Sequence, residues 1–485
     1  MLGRRGFLGA AASAAVVAGF DPSRRAWATG ESAGVLDRVP PLDGELVVDD
    51  AAREAVATDL GNIVRHKPHA VLRPGSAKDI ATMVRFCRER KLSVSTRGQG
   101  HTTHGQGLSA GLLIENKHLN KVHSLTPRTA VVDSGLKWMD LTKAAFAHKT
   151  TPPTLTAYTG LSIGGTLSVG GIGGLVGGLN SGLQVDHVRE LEVVTGTGDI
   201  ERCSRTHQRD LFDAVLGGLG QCGVITKATL DLIPAKENAR TYALEYGDTA
   251  AFCRDLRTLI DRPGVDHVYA ELFPPGTNAT YKLYATAFFD SAQPDNAAIT
   301  RGLSAAPQIT DAGYLDYVFT IDNAIDELRE TIGWDRFIKP WYDIWLPGST
   351  IENYLAEVVP TLTKRDIGPY GAGLIYPQRR ALTTRPFPRL PKPDGTRWAF
   401  VLDINTVAEQ AGPDPAFVEE MLARNARLFA RARDAHGATL YPIGSVPFTA
   451  QDWRTQYGDR WQAFHAAKRR YDPSGILTPG PAIFG

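Results

Sequence analysis

Gly160-Leu161-Ser162-Ile163-Gly164-Gly165-Thr166-Leu167-Ser168-Val169-Gly170-Gly171-Ile172-Gly173-Gly174 sets the terms for the whole chain. Ten glycines fall between Gly160 and Gly182, and no charged residue occurs between Thr150 and Val185. A segment so broken by glycine is unfit to cross a membrane as a helix, and one so free of charge is unfit to be an exposed linker. It reads as buried backbone lying against a large ligand. A tightly packed glycine-rich core turn is the alternative.

Upstream lies a second glycine-rich segment, Thr96-Arg97-Gly98-Gln99-Gly100-His101-Thr102-Thr103-His104-Gly105-Gln106-Gly107. It follows a predicted strand at 92–96. Four glycines within ten residues let successive N–H groups converge on an anion such as a pyrophosphate. Downstream, Gly218-Leu219-Gly220-Gln221-Cys222-Gly223 matches GxGxxG, but a dinucleotide fingerprint needs a strand before it and a helix after it. Here a helix is predicted over 210–216 and a strand over 224–233. The order is inverted, so a Rossmann nicotinamide site is excluded.

Around these segments the periodicity predicts strands at 70–73, 112–115, 130–133 and 190–195, and helices at 76–90 and 139–148. From about 237 to 438 the pattern changes. Amphipathic stretches at 295–305, 321–331 and 415–435 alternate with strands at 281–289 and 398–405, joined by turn-rich connections such as 385–395. A helix is predicted at 460–471. The expected class is α+β: a two-lobed ligand-binding domain over 50–236, an antiparallel-sheet domain covered by helices over 237–438, and a C-terminal segment over 439–485 that returns to the first domain.

Composition narrows the partners. The 53 basic and 52 acidic residues balance to a net charge of +1, and no basic stripe offers the footprint that nucleic acid or an anionic membrane needs. Four scattered cysteines, Cys87, Cys203, Cys222 and Cys253, suit buried apolar positions better than a disulfide framework or a metal site. At the N-terminus Arg4-Arg5 precedes an apolar run from Phe7 to Phe20, followed by Ala26-Trp27-Ala28. This resembles a twin-arginine signal over 1–28, implying export to an extracytoplasmic or secreted location without stable membrane association. An anchor or a disordered tail is the alternative.

Three blocks, Arg97-Gly98-Gln99-Gly100-His101-Thr102, Leu161 to Gly174 and Leu211 to Thr226, together with Tyr314-Leu315-Asp316-Tyr317, Lys339-Pro340-Trp341 and the tail from Tyr471 to Phe484, resemble flavin-linked oxidases of the vanillyl-alcohol oxidase type with a PCMH-type FAD-binding domain. Within that group the chain is similar to the cytokinin dehydrogenases. The resemblance runs from about 59 to 484. It implies FAD, bonded at its 8α carbon to His101, a small-molecule substrate, and oxygen or a quinone as electron acceptor. A free histidine hydrogen-bonding the cofactor or the turn is the alternative. Residue by residue it implies flavin contacts at Thr96, Gly98, Gln99, Gly100, Thr102 and Gln106. Further contacts fall at Ser162, Ser168, Ile172, Ile225, Tyr441 and Thr478. Tyr158 stands where two-point-attached relatives carry a second bonding cysteine, so a bicovalent link is not expected.

The chain departs from that pattern where the chemistry lies. Cytokinin dehydrogenases use an aspartate just before the LTVGG block as proton acceptor, and this chain has Ala157 there. The family's glutamate falls near Ala324, and the asparagine of PWLN has become Asp343. Alanine cannot act as a base. Asp343 is therefore the first candidate base, with Tyr158 and Tyr376 behind it; a surface or paired carboxylate and pocket-lining phenols are the plainer roles for them. Trp341 and Trp345 are candidates for a wall against a planar substrate, or else ordinary core. The expected reaction is removal of hydride from a C–H next to O or N of a small, aromatic or heterocyclic metabolite other than cytokinin. The competing expectations are a true cytokinin dehydrogenase with a relocated base, and a flavin-binding protein impaired in catalysis.

Overall fold

The computed structural model describes residues 17–21, 26–29, 38–276 and 280–485. Arg4, Arg5 and most of the apolar run of the signal expectation lie outside the described residues. Val17–Asp21 and Ala26–Thr29 pair as an antiparallel hairpin. Its Phe20 meets Trp27 edge-on at 5.1 Å, and Trp27 stacks on Phe86 at 5.3 Å.

The first lobe grows from Ala70–Arg73, Leu112–Glu115 and Val94–Arg97, which are mutually parallel, with Glu45–Val47 antiparallel at one edge. Leu112–Glu115 is buried along its whole length, as a central parallel strand must be when both faces are covered. Helix Ala77–Glu89 lays Ile80, Met83, Val84 and Cys87 on the sheet. These recur at the three- and four-residue spacing of a helix face. Ser76 is its N-cap residue but turns its hydroxyl to Asp43 at 2.7 Å, and Asp79 instead gathers the N–H groups of Asp43, Gly44 and Gly75.

The second lobe is an antiparallel sheet in the order Ile200–Ser204, Val188–Val194, Val224–Asp231, Thr129–Asp133, Val122–Leu125. The glycine-rich stretch, for which no element was predicted, contains one. Ile163–Val169 is a short helix with Ser162 as its N-cap residue. Gly164 permits that helix to sit on the sheet, because a Cβ there would lie 2.7 Å from the Ser134 side chain. The helix then stops at Gly170 and Gly171, whose φ angles of 127° and 70° suit glycine alone.

The largest sheet has eight antiparallel strands, including Asn238–Tyr246, Tyr281–Phe289, His267–Leu272, Ala372–Arg379, Trp398–Asn405 and Tyr342–Pro347. Helices Thr320–Ile332 and Pro415–His436 run as the amphipathic pattern suggests, but the helix expected over 295–305 is confined to Asn296–Thr300. Arg301, at ψ 123°, already leaves the helix, and Gly302 follows at φ 75°. At the C-terminus Thr439–Leu440 adds an edge to the eight-stranded sheet. The tail then crosses to the first lobe, where Leu477 bridges Val94 in parallel and Thr478 N–H donates to the Val94 carbonyl at 2.8 Å. No helix among the described residues is long and apolar enough to cross a membrane. The four cysteines are free and buried.

Candidate active site

A cleft of about 2200 Å³, counting its open mouth, runs between the two lobes and the large sheet. Its inner wall is the loop that leaves the C-terminal end of strand Val94–Arg97. Thr96, Gly98, Gln99, Gly100, His101 and Thr102 line it, followed by Gln106. Asp59, buried beneath, fixes this loop by accepting from Gly105 N–H at 2.7 Å, Thr102 Oγ1–H at 2.9 Å and Gly61 N–H at 3.1 Å. Gln106 reaches across to the Gly444 carbonyl at 2.8 Å. Ser162, Ser168 and Ile172 face the same space from the glycine-rich stretch, Ile225 from the second lobe, and Tyr441 and Thr478 from the C-terminal segment. The rejected GxGxxG segment contributes Leu219, Gly220 and Gly223, with a helix before it and a strand after it.

The fit to a dinucleotide cofactor rests on the cradle itself. At Gly98 a Cβ would overlap the Ser162 hydroxyl, so bare backbone faces the cleft where two chain segments approach most closely. The long inner wall is glycine, hydroxyl and amide, and Arg97 is its one basic side chain; Arg97 turns its guanidinium to the Thr58 carbonyl. Such a donor set suits a ligand with a phosphate bridge and a polar heterocycle. Thr96 to Thr102 and Gln106 would hold the ring and its linker, and the segments around Ser162 and Thr478 the remainder.

His101 lies between aromatic rings. Tyr158 stacks on it at 5.0 Å, with an interplanar angle of 29°, and Trp341 meets it edge-on at 5.4 Å. Burial, with Arg329 and Lys339 adding to it, drives the imidazole pKa down to about 3. The ring is therefore neutral at physiological pH, with a free lone pair on one nitrogen. His104, in the same loop, is not among the cleft-lining side chains.

Tyr158 accepts a hydrogen bond from Arg329 Nη1 at 2.8 Å. Burial outweighs that cation and raises the phenol pKa. Tyr376, fully enclosed, is raised well above the usual range by burial and then by Asp403, Glu271 and Asp343. Both phenols hold their protons more tightly than a free phenol does. The loop carrying Ala157 and Tyr158 is clamped by Asp322, which accepts from Thr159 N–H, Thr159 Oγ1–H and Gly160 N–H at 3.1, 2.9 and 2.7 Å. Ala157 itself presents only a methyl group to the cleft, and Ala324 sits exposed at the mouth. Trp341 lines the cleft, but Trp345 is core, edge-on to Tyr441 at 5.8 Å.

Asp343 is wholly buried and faces the cleft from strand Tyr342–Pro347, so it is no surface carboxylate. Its neighbour across the strand pair is Asp403, and Glu271 lines the same end of the cleft. Sequence reasoning passed over Asp403, Glu271, Asp59 and Asp322. For Asp403 the signal was present: one acid inside Trp398-Ala-Phe-Val-Leu-Asp403-Ile-Asn405, a run whose first seven residues are all buried.

Two family models match the chain: an FAD binding domain over residues 68–204, and the FAD and cytokinin binding region of cytokinin dehydrogenase 1 over residues 296–484. An uncharacterized oxidoreductase of a fasciation locus in Rhodococcoides fascians is 36% identical over 445 residues, covering 90% of this chain and 99% of the relative. Cytokinin dehydrogenase 1 of Oryza sativa subsp. japonica is 31% identical over 506 residues, covering 91% and 92%. Cytokinin dehydrogenase 2 of Arabidopsis thaliana is 28% identical, covering 93% and 95%.

Proposed function

The chain belongs to the FAD-dependent oxidoreductase family of the cytokinin dehydrogenases, and on that premise we propose that it removes hydride from a C–H next to N or O of a small metabolite other than an N6-substituted adenine. The observation that carries this is the wall at Ala157. There the cleft meets a methyl group in place of the family's aspartate, while the cleft's buried acids stand on strands of the large sheet.

Bound FAD supplies the hydride acceptor. His101, neutral and held by Tyr158 and Trp341, is the residue that would hold the flavin at its 8α carbon. Asp343 is the proton acceptor for the substrate N–H or O–H. Tyr376 donates a hydrogen bond at the same end, and Tyr158 with Arg329 keeps the His101 ring in place. Oxygen or a quinone takes the electrons afterwards. The domain division at 50–236, 237–438 and 439–485 and twin-arginine export with cleavage after Ala28 belong to the same reading. N-terminal sequencing of protein recovered outside the cytoplasm tests the export step.

Single-turnover mixing with isopentenyladenine tests the substrate. Little flavin bleaching is expected; rapid bleaching would assign the chain as a true cytokinin dehydrogenase with a relocated base. On a denaturing gel, flavin fluorescence is expected to stay with the wild-type band and to be absent from His101→Ala.

A further inference from the structure

Among the described residues nine aspartates are buried, and seven of them, Asp59, Asp79, Asp133, Asp186, Asp255, Asp322 and Asp472, each accept at least two hydrogen bonds, although Oδ1 of Asp255 receives none. The other two are Asp343 and Asp403. Neither oxygen of Asp343 receives a hydrogen bond from any described residue, nor does Oδ1 of Asp403. They lie directly opposite each other on antiparallel strands, so their side chains share one face of the sheet. That face is the cleft wall.

Like charges placed opposite one another in a buried site cannot both ionise, and such a pair holds one proton between two carboxyls. Burial raises both above the usual carboxylate range; Asp403 raises Asp343 further, while the hydrogen-bonding contact with Asp343 through that shared proton draws Asp403 part of the way back. The ionisable groups acting on or beside the pair are phenols, Tyr376, Tyr441 and Tyr342, with Glu271 reaching it past Tyr376. Arg424 acts on Tyr342 but is committed to Asp366, Thr406 and Asn425. Glu271 accepts from Tyr284 at 2.9 Å, and no cation is paired with it among the described residues. This end of the cleft therefore carries uncompensated negative charge, which is costly to bury unless a ligand neutralises it. Elsewhere in the cleft wall, His101 has the cations Arg329 and Lys339 near it, outside the lining.

We propose that Asp343, Asp403 and Glu271 form a cation-accepting pocket, and that the substrate is a primary or secondary aliphatic amine entering as its ammonium ion. This rests on the flavoenzyme reading and gives it a substrate class. The ammonium transfers one proton to the singly charged aspartate pair, which becomes neutral. The free amine's lone pair then forms a C=N π bond as the adjacent C–H breaks. Its electron pair leaves as hydride to the flavin, so the substrate loses two electrons and the cofactor gains them. Water converts the iminium product to a carbonyl compound, releasing ammonium from a primary amine or the smaller amine from a secondary one. Tyr376 and Tyr441, which line the cleft beside the pair, supply the apolar and cation–π contacts that retain an alkylammonium.

The test uses the purified holoenzyme under anaerobic conditions, titrated with benzylamine, hexylamine and their alcohol isosteres, and followed by perturbation of flavin absorbance. Each ammonium is expected to bind roughly tenfold or more tighter than its alcohol. That preference should vanish in both Asp343→Asn and Asp403→Asn, variants of nearly unchanged shape. Equal binding of amine and alcohol, absence of any spectral change with every ammonium, or a preference that survives both substitutions overturns the proposal. Thermal shift of the holoenzyme by the same amines gives a second readout of binding, with the same expected loss in the two variants. Failure of the underlying reading shows differently, as protein that carries no flavin.

Discussion

At the His101 end of the cleft the ligand-facing surface is largely backbone and short polar side chains; at the Asp343 end it is side chains standing on sheet strands. The two ends answer to different physics. A backbone cradle works by close approach and tolerates no added Cβ, as at Gly98 against Ser162. A side-chain pocket works by charge and tolerates a change of shape far better than a change of ionisation. Substitutions at the first end should therefore act as switches on cofactor retention, and those at the second should be graded and dependent on pH.

The largest expected effect is Gly98→Val, which should yield folded protein without flavin, measured by the ratio of flavin to protein absorbance. Retention of a full complement would break the comparison at its first end. Next comes Asp343→Asn, expected to lower the rate of flavin reduction by about 10²- to 10⁴-fold, the usual contribution of a positioned base, while the flavin stays bound. Loss of flavin along with rate would mean that the two ends are not separable. Smaller again is Asp59→Ala. Removing the acceptor of three loop hydrogen bonds should loosen His101 and slow flavin attachment without preventing it, read as the fraction of fluorescent band against time of incubation with FAD.

The same contrast explains what the sequence disclosed. A backbone site needs glycines, and glycines cluster visibly, so Gly98 to Gly107 and Gly160 to Gly182 declared the cradle before any fold was known. The helix inside the second cluster stayed hidden, because Gly164 and Gly165 lower helix propensity and only packing on Ser134 makes them useful. The pairing of Asp343 with Asp403 was invisible for a different reason. Sixty residues separate them, and the register that sets one opposite the other exists only in the sheet. Ala157 was readable as a loss; the compensating acids were readable only one at a time, and Glu271 gave no sign of facing a cleft.

The smallest expected effect separates a functional pair from a structural one. Burial raises the folded-state pKa of Asp403 above its unfolded value, so the folded chain binds that proton more tightly than the unfolded chain. Stability from this source is fully present below the ordinary carboxylate range and is lost as pH rises through the raised value. Asp403→Asn removes that loss. The variant should match wild type in Tm near about pH 4 and exceed it by about 2 °C or more near about pH 8, since 1 kcal/mol moves a large domain by a few degrees. A pair retained for stability predicts the reverse, a variant that melts lower across the range. A rise in Tm at high pH together with a slower flavin reduction would mark the carboxyls as groups kept for a ligand at a cost to the fold.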